Sequence, residues 1–130
     1  MGKTAFLFAG QGAQLPGMGK ELCEASPAAA AVFSGADSVR EGTSQQCFAG
    51  SQEELNRTIN TQPCVYCVDL AAARALEEAG IHPDAVAGFS LGEVAAMTFA
   101  GGFTDADGFS FVCYRAECMD YAAQRIPSGM

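Results

Sequence analysis

The amino-acid sequence predicts an α/β fold built on a parallel sheet. Two short apolar runs, at 4–8 and 85–88, have the length and composition of buried strands, and a glycine-containing loop follows each of them. The long segments between and after these runs carry the start and stop signals of helices. Strands that alternate with helices are typical of a parallel sheet that helices cover. Ligand sites of such sheets lie at the carboxyl ends of the strands, so we expect function in the two loops.

In the first third of the chain, the strand at 4–8 precedes two expected helices, at 17–26 and 27–40. Pro27 suits the first position of the second helix, because the N–H that proline lacks would have no acceptor inside the helix there. Segment 41–50 is polar and has no helical period, so we expect it to be irregular.

The middle of the chain predicts a short helix and then a long one. Ser51 and Glu54 have the spacing of a capping box, in which the serine side chain accepts the N–H of the third residue after it. The long helix is expected to begin at 61–63 and to end at Gly80, because apolar residues recur at helical spacing between these limits.

The last third again predicts a strand followed by helices. The strand at 85–88 leads into an expected helix at 91–100, which two glycines end. Thr104 and Asp107 resemble a second capping box, and we expect the final helix to run from there to about Arg125.

Composition and charge limit the possible functions. The 130 residues have the size of one domain, and 49% hydrophobic against 17% charged residues suffice for a core. A net charge of −8 excludes broad electrostatic binding of nucleic acid or anionic lipid, which requires an excess of Lys and Arg. The first apolar run is too short for a secretory signal, and no apolar stretch reaches the about 18 residues of a membrane span. We therefore expect a cytoplasmic protein without nucleic-acid or membrane partners.

Six cysteines are present, and Cys64 and Cys67 form a C-x-x-C pair. Without a secretory signal, we expect reduced thiols. The pair falls inside the predicted long helix, and no second C-x-x-C completes a metal site. We expect small buried side chains here and no metal site.

Residues 88–92, with the sequence Gly-Phe-Ser-Leu-Gly, match G-x-S-x-G between a predicted strand and a predicted helix. A sharp turn in this context exposes the serine oxygen, and the backbone N–H after the serine points towards the same space, where it can stabilise an oxyanion. The alternative is that Ser90 only caps the helix that begins at Leu91.

Residues 10–14, with the sequence Gly-Gln-Gly-Ala-Gln, follow the first predicted strand. Leu15 stands at the position of the third glycine of G-x-G-x-x-G, which excludes a dinucleotide-binding loop. Because both loops follow carboxyl ends of parallel strands, Gln11 is expected to face Ser90. A plain tight turn is the alternative.

Four motifs occur in an order that is typical of one enzyme family. They are Phe-Ala-Gly-Gln-Gly-Ala-Gln at 8–14, Asn-Thr-Gln-Pro at 60–63, Gly-Phe-Ser-Leu-Gly-Glu at 88–93, and Tyr-Arg-Ala-Glu at 114–117 followed by Met119. With them the sequence resembles, over essentially all of its length, the N-terminal part of the malonyl-CoA:acyl-carrier-protein transacylases of fatty-acid and polyketide synthesis.

The resemblance implies a role for each matched residue. Ser90 matches the nucleophile, which carries malonyl as an ester between CoA and the phosphopantetheine thiol of the acyl carrier protein. Gln11 and the backbone N–H of Leu91 match the oxyanion hole, and Arg115 matches the arginine that binds the free carboxylate of malonyl. The alternative for Arg115 is a surface ion pair on the last helix. The implied partners are malonyl-CoA and acyl carrier protein, and no cofactor is implied.

The chain departs from the family in two respects. Phe89 stands where the family usually has His, so we expect a substrate-binding residue that alters acyl choice. Family members are much longer, so 1–130 is expected to be the N-terminal part of a hydrolase-like parallel-sheet core without the ferredoxin-like subdomain and the C-terminal strands. The general-base histidine is then expected on a complementary C-terminal polypeptide, because His82 precedes the second predicted strand, at the end away from Ser90.

Two other functions stay open on the sequence. A serine esterase or thioesterase uses a related elbow with water as the acceptor, and Arg115 would then have no acid to select. A truncated or scaffold subunit without catalysis would bind carrier protein or a partner chain. For an unfinished parallel sheet, we expect exposed apolar surface unless a second polypeptide covers it.

Overall fold

The protein has an α/β fold with a small parallel sheet, as predicted. A computed structural model describes residues 2–126. In chain order the elements are β1 Ala5–Phe8, α1 Lys20–Ala25, α2 Pro27–Val39, α3 Thr43–Ala49, α4 Gln52–Leu55, α5 Thr58–Glu78, β2 Ala85–Gly88, α6 Leu91–Phe99 and α7 Asp105–Arg125. In the described part of the chain, no helix combines the length and the apolar character that crossing a membrane would require.

The two strands pair in parallel, with Phe6 opposite Val86 and Leu7 opposite Ala87. Side chains alternate between the faces of a strand, so Phe6 and Phe8 are buried while Leu7 is 80% exposed. The prediction of fully buried strands is therefore wrong for one face. The expectation of exposed apolar surface at this sheet is confirmed.

Helix α5 is the centre of the packing, and it contacts α2, α6 and α7. The Tyr66 hydroxyl donates to Thr98 Oγ1 at 3.1 Å and is enclosed where α5 meets α6 and α7. Gly108 lets α7 approach this point, because a Cβ there would clash with both side chains. Desolvation in this position raises the pKa of Tyr66 to about 12.

Segment 41–50 is not irregular, and the prediction is wrong there: it forms α3. The residue before this helix is Gly42, which has no side chain to cap it. The cap comes from α2 instead, where Asp37 Oδ1 accepts the N–H of Ser44 at 2.9 Å. Thr43 and Cys47 are fully buried, so tertiary contacts stabilise a helix that local sequence does not predict.

Two helix starts differ from the predictions. Helix α1 begins at Lys20 and not at the predicted residue 17. Gly17 and Gly19 have φ of 87° and 84°, which lie outside the helical region. Helix α5 begins at Thr58, a turn earlier than predicted, and takes Pro63 into its interior. The buried Thr61 hydroxyl bonds to the carbonyl of Arg57 at 3.0 Å, which helps to hold this additional turn.

Both predicted caps are present. The Ser51 side chain accepts the N–H of Glu54 at 3.1 Å, and that of Thr104 accepts the N–H of Asp107 at 3.0 Å. Helices α4 and α7 therefore begin where the sequence indicates.

Candidate active site

Ser90 lies in a sharp turn between β2 and α6. Its φ of 55° and ψ of −112° make it the one residue other than glycine with positive φ among residues 2–126. Such a conformation costs about 1–3 kcal/mol for a residue with a side chain, and it persists only where the surroundings enforce it. The strand–turn–helix context that G-x-S-x-G requires is present, with the serine exposed.

The two glycines of the motif allow this turn to sit against the end of β1. A Cβ on Gly92 would lie 2.7 Å from the carbonyl oxygen of Ala9 and would clash with that of Phe8. A Cβ on Gly88 would clash with the backbone of Gly92. The turn and the end of β1 are therefore fixed against each other by backbone contact.

The Ser90 side chain does not cap α6, so the capping alternative is wrong. Its Oγ instead accepts a hydrogen bond from Arg115 Nη2 at 3.2 Å. Residues that lie 25 positions apart in the sequence thus meet at one point between α6 and α7.

Arg115 is fixed from its other side by α5. Its Nη1 donates to Oε1 of the fully buried Gln62 at 2.6 Å. The ion pairs within the described part of the chain both involve Arg74, so the surface ion pair expected as an alternative for Arg115 is not formed there. The guanidinium is held by neutral oxygens and keeps its charge available for an anion.

The loop that carries Gln11 lies directly against this turn. A Cβ on Gly10 would be 2.5 Å from the carbonyl oxygen of Phe89, so the two loops touch through their backbones. Gln11 Nε2 donates to Thr58 Oγ1 at 3.1 Å, which fixes the side chain to the first residue of α5. The loop is thus part of the site and more than a connecting turn.

Leu91 and Phe89 flank the serine in opposite environments. Leu91 is fully buried and begins α6, so its backbone N–H has no acceptor inside the helix. The side chain of Phe89 is 74% exposed and lies next to Gly10. An N–H without a helical acceptor and an apolar ring therefore border the serine.

Three residues to which the sequence analysis gave no role organise the site. Thr58 bonds to Gln11, Gln62 to Arg115, and Asp69 to the N–H of Ala9, where Oδ1 accepts at 3.2 Å. Their spacing of four and seven residues puts them on one face of α5. These residues could have been identified from the sequence, because they are polar residues at helical spacing inside a largely apolar helix.

Asp69 is the member of this set with a shifted pKa. Burial raises its pKa to about 7, and the hydrogen bond from Ala9 opposes that shift only in part. Its Oδ2 is buried and has no hydrogen-bond partner within residues 2–126.

The remaining candidate groups lie elsewhere. Cys64 and Cys67 are inside α5 and fully buried, as predicted, and burial raises the pKa of the Cys67 thiol. The stretch from residue 2 to residue 126 contains no group of three or more metal-binding side chains. His82 is an exposed loop residue before β2, and the length of that strand separates it from Ser90.

The sequence matches the acyl transferase domain model over residues 5–130. It is 44% identical over 130 residues to the malonyl CoA-acyl carrier protein transacylase of Bacillus subtilis, and the alignment covers 99% of this chain and 40% of that protein. The chain thus spans less than half the length of that relative.

Solved structures show the same fold. The acyltransferase domain from the second module of the salinomycin polyketide synthase superposes with a TM-score of 0.86 at 42% identity, over 92% of this chain and 29% of that one. The acyl-carrier-protein-S-malonyltransferase of Bartonella henselae gives 0.85 at 38% identity, over 92% of this chain and 39% of that one. The match along the chain, the fold and the serine turn together show that this chain belongs to the acyl transferase domain family.

Proposed function

We propose that the chain supplies the serine half of an enzyme that transfers malonyl from malonyl-CoA to the phosphopantetheine thiol of acyl carrier protein. The observation that carries this proposal is the 3.2 Å hydrogen bond from Arg115 Nη2 to Ser90 Oγ. With this spacing, one malonyl group could contact the serine oxygen through its thioester carbonyl and the guanidinium through its free carboxylate. In this proposal residues 1–130 form the N-terminal part of the hydrolase-like subdomain.

In the first half-reaction, Ser90 Oγ attacks the thioester carbonyl and its proton passes to a general base. The Leu91 N–H is the first proposed donor to the oxyanion, because it lies at the positive end of α6 and has no helical acceptor. Gln11 is the second candidate donor, because its loop touches the serine turn through Gly10 and its side chain is held in place by Thr58. The CoA thiolate leaves, takes a proton, and a malonyl ester remains on Ser90.

In the second half-reaction, the phosphopantetheine thiol of the carrier attacks the ester carbonyl and loses its proton to the base. The same oxyanion donors act again, and the Ser90 oxygen leaves and regains a proton. Dividing the transfer into two attacks on one carbonyl lets a single site serve both thiols in turn.

Arg115 selects the acyl group in this proposal. A guanidinium presents parallel N–H donors that match the two oxygens of a carboxylate. Gln62 orients the fork through Nη1, so the charge stays directed at the space beside Ser90. Malonyl has the carboxylate that such a fork binds, and acetyl does not.

Phe89 is proposed to adjust substrate choice. Its exposed ring stands beside the nucleophile where the family usually has a histidine, so it replaces a polar contact by an apolar one. The ring favours apolar parts of the substrate, such as the methylene groups next to the thioester, over additional polar groups.

The general base is proposed to come from a complementary C-terminal polypeptide. His82 is the single histidine of the sequence and lies on the far side of β2. The chain spans 40% of the Bacillus subtilis relative, so the remaining part of that protein has room for the base. The isolated chain is then expected to transfer little malonyl. We also propose that the reaction takes place in the cytoplasm.

Intact-mass measurement after mixing with malonyl-CoA tests this function. The chain is mixed with and without the part of the Bacillus subtilis relative that it does not cover. We expect a malonyl adduct in the mixture, little adduct on the chain alone, and none on Ser90→Ala under either condition.

Each other outcome points to a different function. Turnover to free malonate without a stable adduct or transfer indicates a hydrolase. Absence of any reaction, with or without the added polypeptide, indicates a subunit that binds carrier protein or a partner chain without catalysis. Full transfer by the chain alone would contradict the need for a second polypeptide and would make His82 the candidate base.

A further inference from the structure

Asp69 carries a half-buried carboxyl group that the proposed reaction does not use. It lies on α5 about three turns after Thr58, and among residues 2–126 no charged side chain contributes to its pKa shift. Its Oδ1 accepts the Ala9 N–H at 3.2 Å, and its Oδ2 has no partner in the described structure. A carboxyl buried in this manner costs free energy, so its presence calls for a local reason.

The hydrogen bond reaches the start of the loop that carries Gln11. Ala9 is the first residue after β1, and its carbonyl oxygen faces Gly92 at the base of α6. Gly10 then touches the backbone of Phe89, and Gln11 is fixed to Thr58. Asp69 therefore holds the first residue of the stretch 9–11 in place through its backbone N–H.

The surroundings of Asp69 disfavour the carboxylate form relative to water. Strand β1 contributes no ionisable side chain, and Asp69 borders an apolar groove between β1 and α5. The charged or titratable groups of the neighbouring helices are engaged or exposed: Tyr66 bonds to Thr98, Arg74 pairs with Glu77 and Asp105, and Glu93 is exposed. Within residues 2–126 no cation thus offsets the burial that raises the pKa of this carboxyl to about 7.

We propose that Asp69 is a positioning residue that anchors the loop of Gln11 through the Ala9 N–H and so keeps that loop against Ser90. A neutral acid accepts this hydrogen bond without a buried charge. Ionisation places a charge in an apolar surrounding without a cation, and the carboxylate then gains by moving to water. A carboxyl released to water has its ordinary pKa of about 3.8, so the anchor weakens as the pH rises from about 4 to about 7 and changes little above that range. Its effect on catalysis rests on the proposed function.

Amide hydrogen exchange at residues 9–12 tests the anchor without any need for catalysis. Asp69→Leu removes the acceptor and is expected to lower the protection factors of these amides about tenfold. Asp69→Asn keeps an acceptor oxygen and cannot ionise, so it should retain the protection. Wild type should lose protection between pH 4 and pH 7, whereas Asp69→Asn should not. Glu24→Gln, a change at an exposed carboxylate on α1, is the matched control.

Formation of the malonyl adduct in the presence of the complementary polypeptide is the second measurement. We expect a three- to tenfold slower adduct formation for Asp69→Leu and a rate close to wild type for Asp69→Asn. The two variants separate positioning from mere packing, because a packing role alone gives no difference in pH profile between wild type and Asp69→Asn.

The outcomes are distinguishable. Unchanged protection in Asp69→Leu, equal loss in both variants, or a wild-type profile without pH dependence overturns the anchor. Loss of protection in Asp69→Leu with an unchanged adduct rate overturns the positioning of the site. If Asp69→Leu does not fold, the pH profiles of wild type and Asp69→Asn decide alone. If no variant reacts but the protection pattern holds, the anchor stands and the proposed transfer fails.

Discussion

Arg115 joins two parts of the candidate site, because one guanidinium contacts both Ser90 and the buried amide of Gln62. The contacts with Ser90 and Gln62 use different nitrogen atoms, so the plane of the fork is defined on both sides. Defined orientation matters because a mobile cation loses conformational entropy when it binds an anion. The side chain is therefore suited to select a carboxylate.

Substitution of Arg115 tests this selection. Arg115→Ala is expected to reduce adduct formation with malonyl-CoA at least tenfold more than with acetyl-CoA, because charged hydrogen bonds contribute about 1.5–3 kcal/mol. Arg115→Lys should restore the positive charge but not the paired donors, and so recover only part of the selectivity. The measurement is the ratio of the two adduct rates in the assembled enzyme. Arg125→Ala, on the same helix, is the control, and an equal loss for both substrates in Arg115→Ala would contradict the assignment.

At the scale of elements, α5 acts as the support of the site. Thr58, Gln62 and Asp69 lie on one face of α5. Thr58 and Asp69 bond to the loop after β1, and Gln62 bonds to α7. A helix fixes such positions relative to each other by its regular rise, so groups from distant parts of the sequence are held at constant spacing. Burial of Gln62 adds to this, because an enclosed amide has few alternative partners.

The contact between α6 and β1 also defines the site, and it requires glycine at position 92 because the two backbones touch there. Gly92→Ala is expected to destabilise the fold by about 1–3 kcal/mol, because the added methyl group meets the carbonyl oxygens of Phe8 and Ala9. The same substitution at Gly35, in open space on α2, should stabilise by up to about 1 kcal/mol through helix propensity. Urea unfolding of both variants measures the difference, and a shift of the same sign in both would refute the close packing at Gly92.

At the scale of the whole molecule, the sheet is covered on one face only. Phe6 and Phe8 contribute to the core, whereas Leu7 and its strand neighbour Ala87 lie on the exposed face. Parallel sheets are normally buried on both faces, so this apolar area is suited to association. The excess of acidic over basic residues favours a partner surface with basic groups around an apolar centre.

Leu7→Lys tests the association. The lysine is expected to weaken binding of the complementary polypeptide at least tenfold, because burying an unpaired ammonium is unfavourable. The thermal midpoint of the isolated chain should change little, since the residue is 80% exposed. Binding is measured by titration calorimetry, and Ile81→Lys, another exposed apolar residue, serves as the control. Similar binding by Leu7→Lys and wild type would exclude this face from the interface.

Much of this protein follows from local sequence. The strand limits at Ala85–Gly88, the caps at Ser51 and Thr104, and the serine turn are set by neighbouring residues, and these predictions are confirmed. The turn could be predicted because its glycines and its strand-to-helix context lie within a few residues of each other.

Tertiary structure decided the rest, because the interactions responsible join residues far apart in the chain. The seven residues of α3 give no helical signal of their own, because this helix depends on a cap from Asp37 and on buried contacts. The orientation of Arg115 depends on Gln62, and the anchor at Ala9 depends on Asp69, which lies 60 positions away. Sequence thus determined which chemical groups this protein has, and packing around α5 determined which of them meet, since only the folded chain brings distant hydrogen-bond partners within reach.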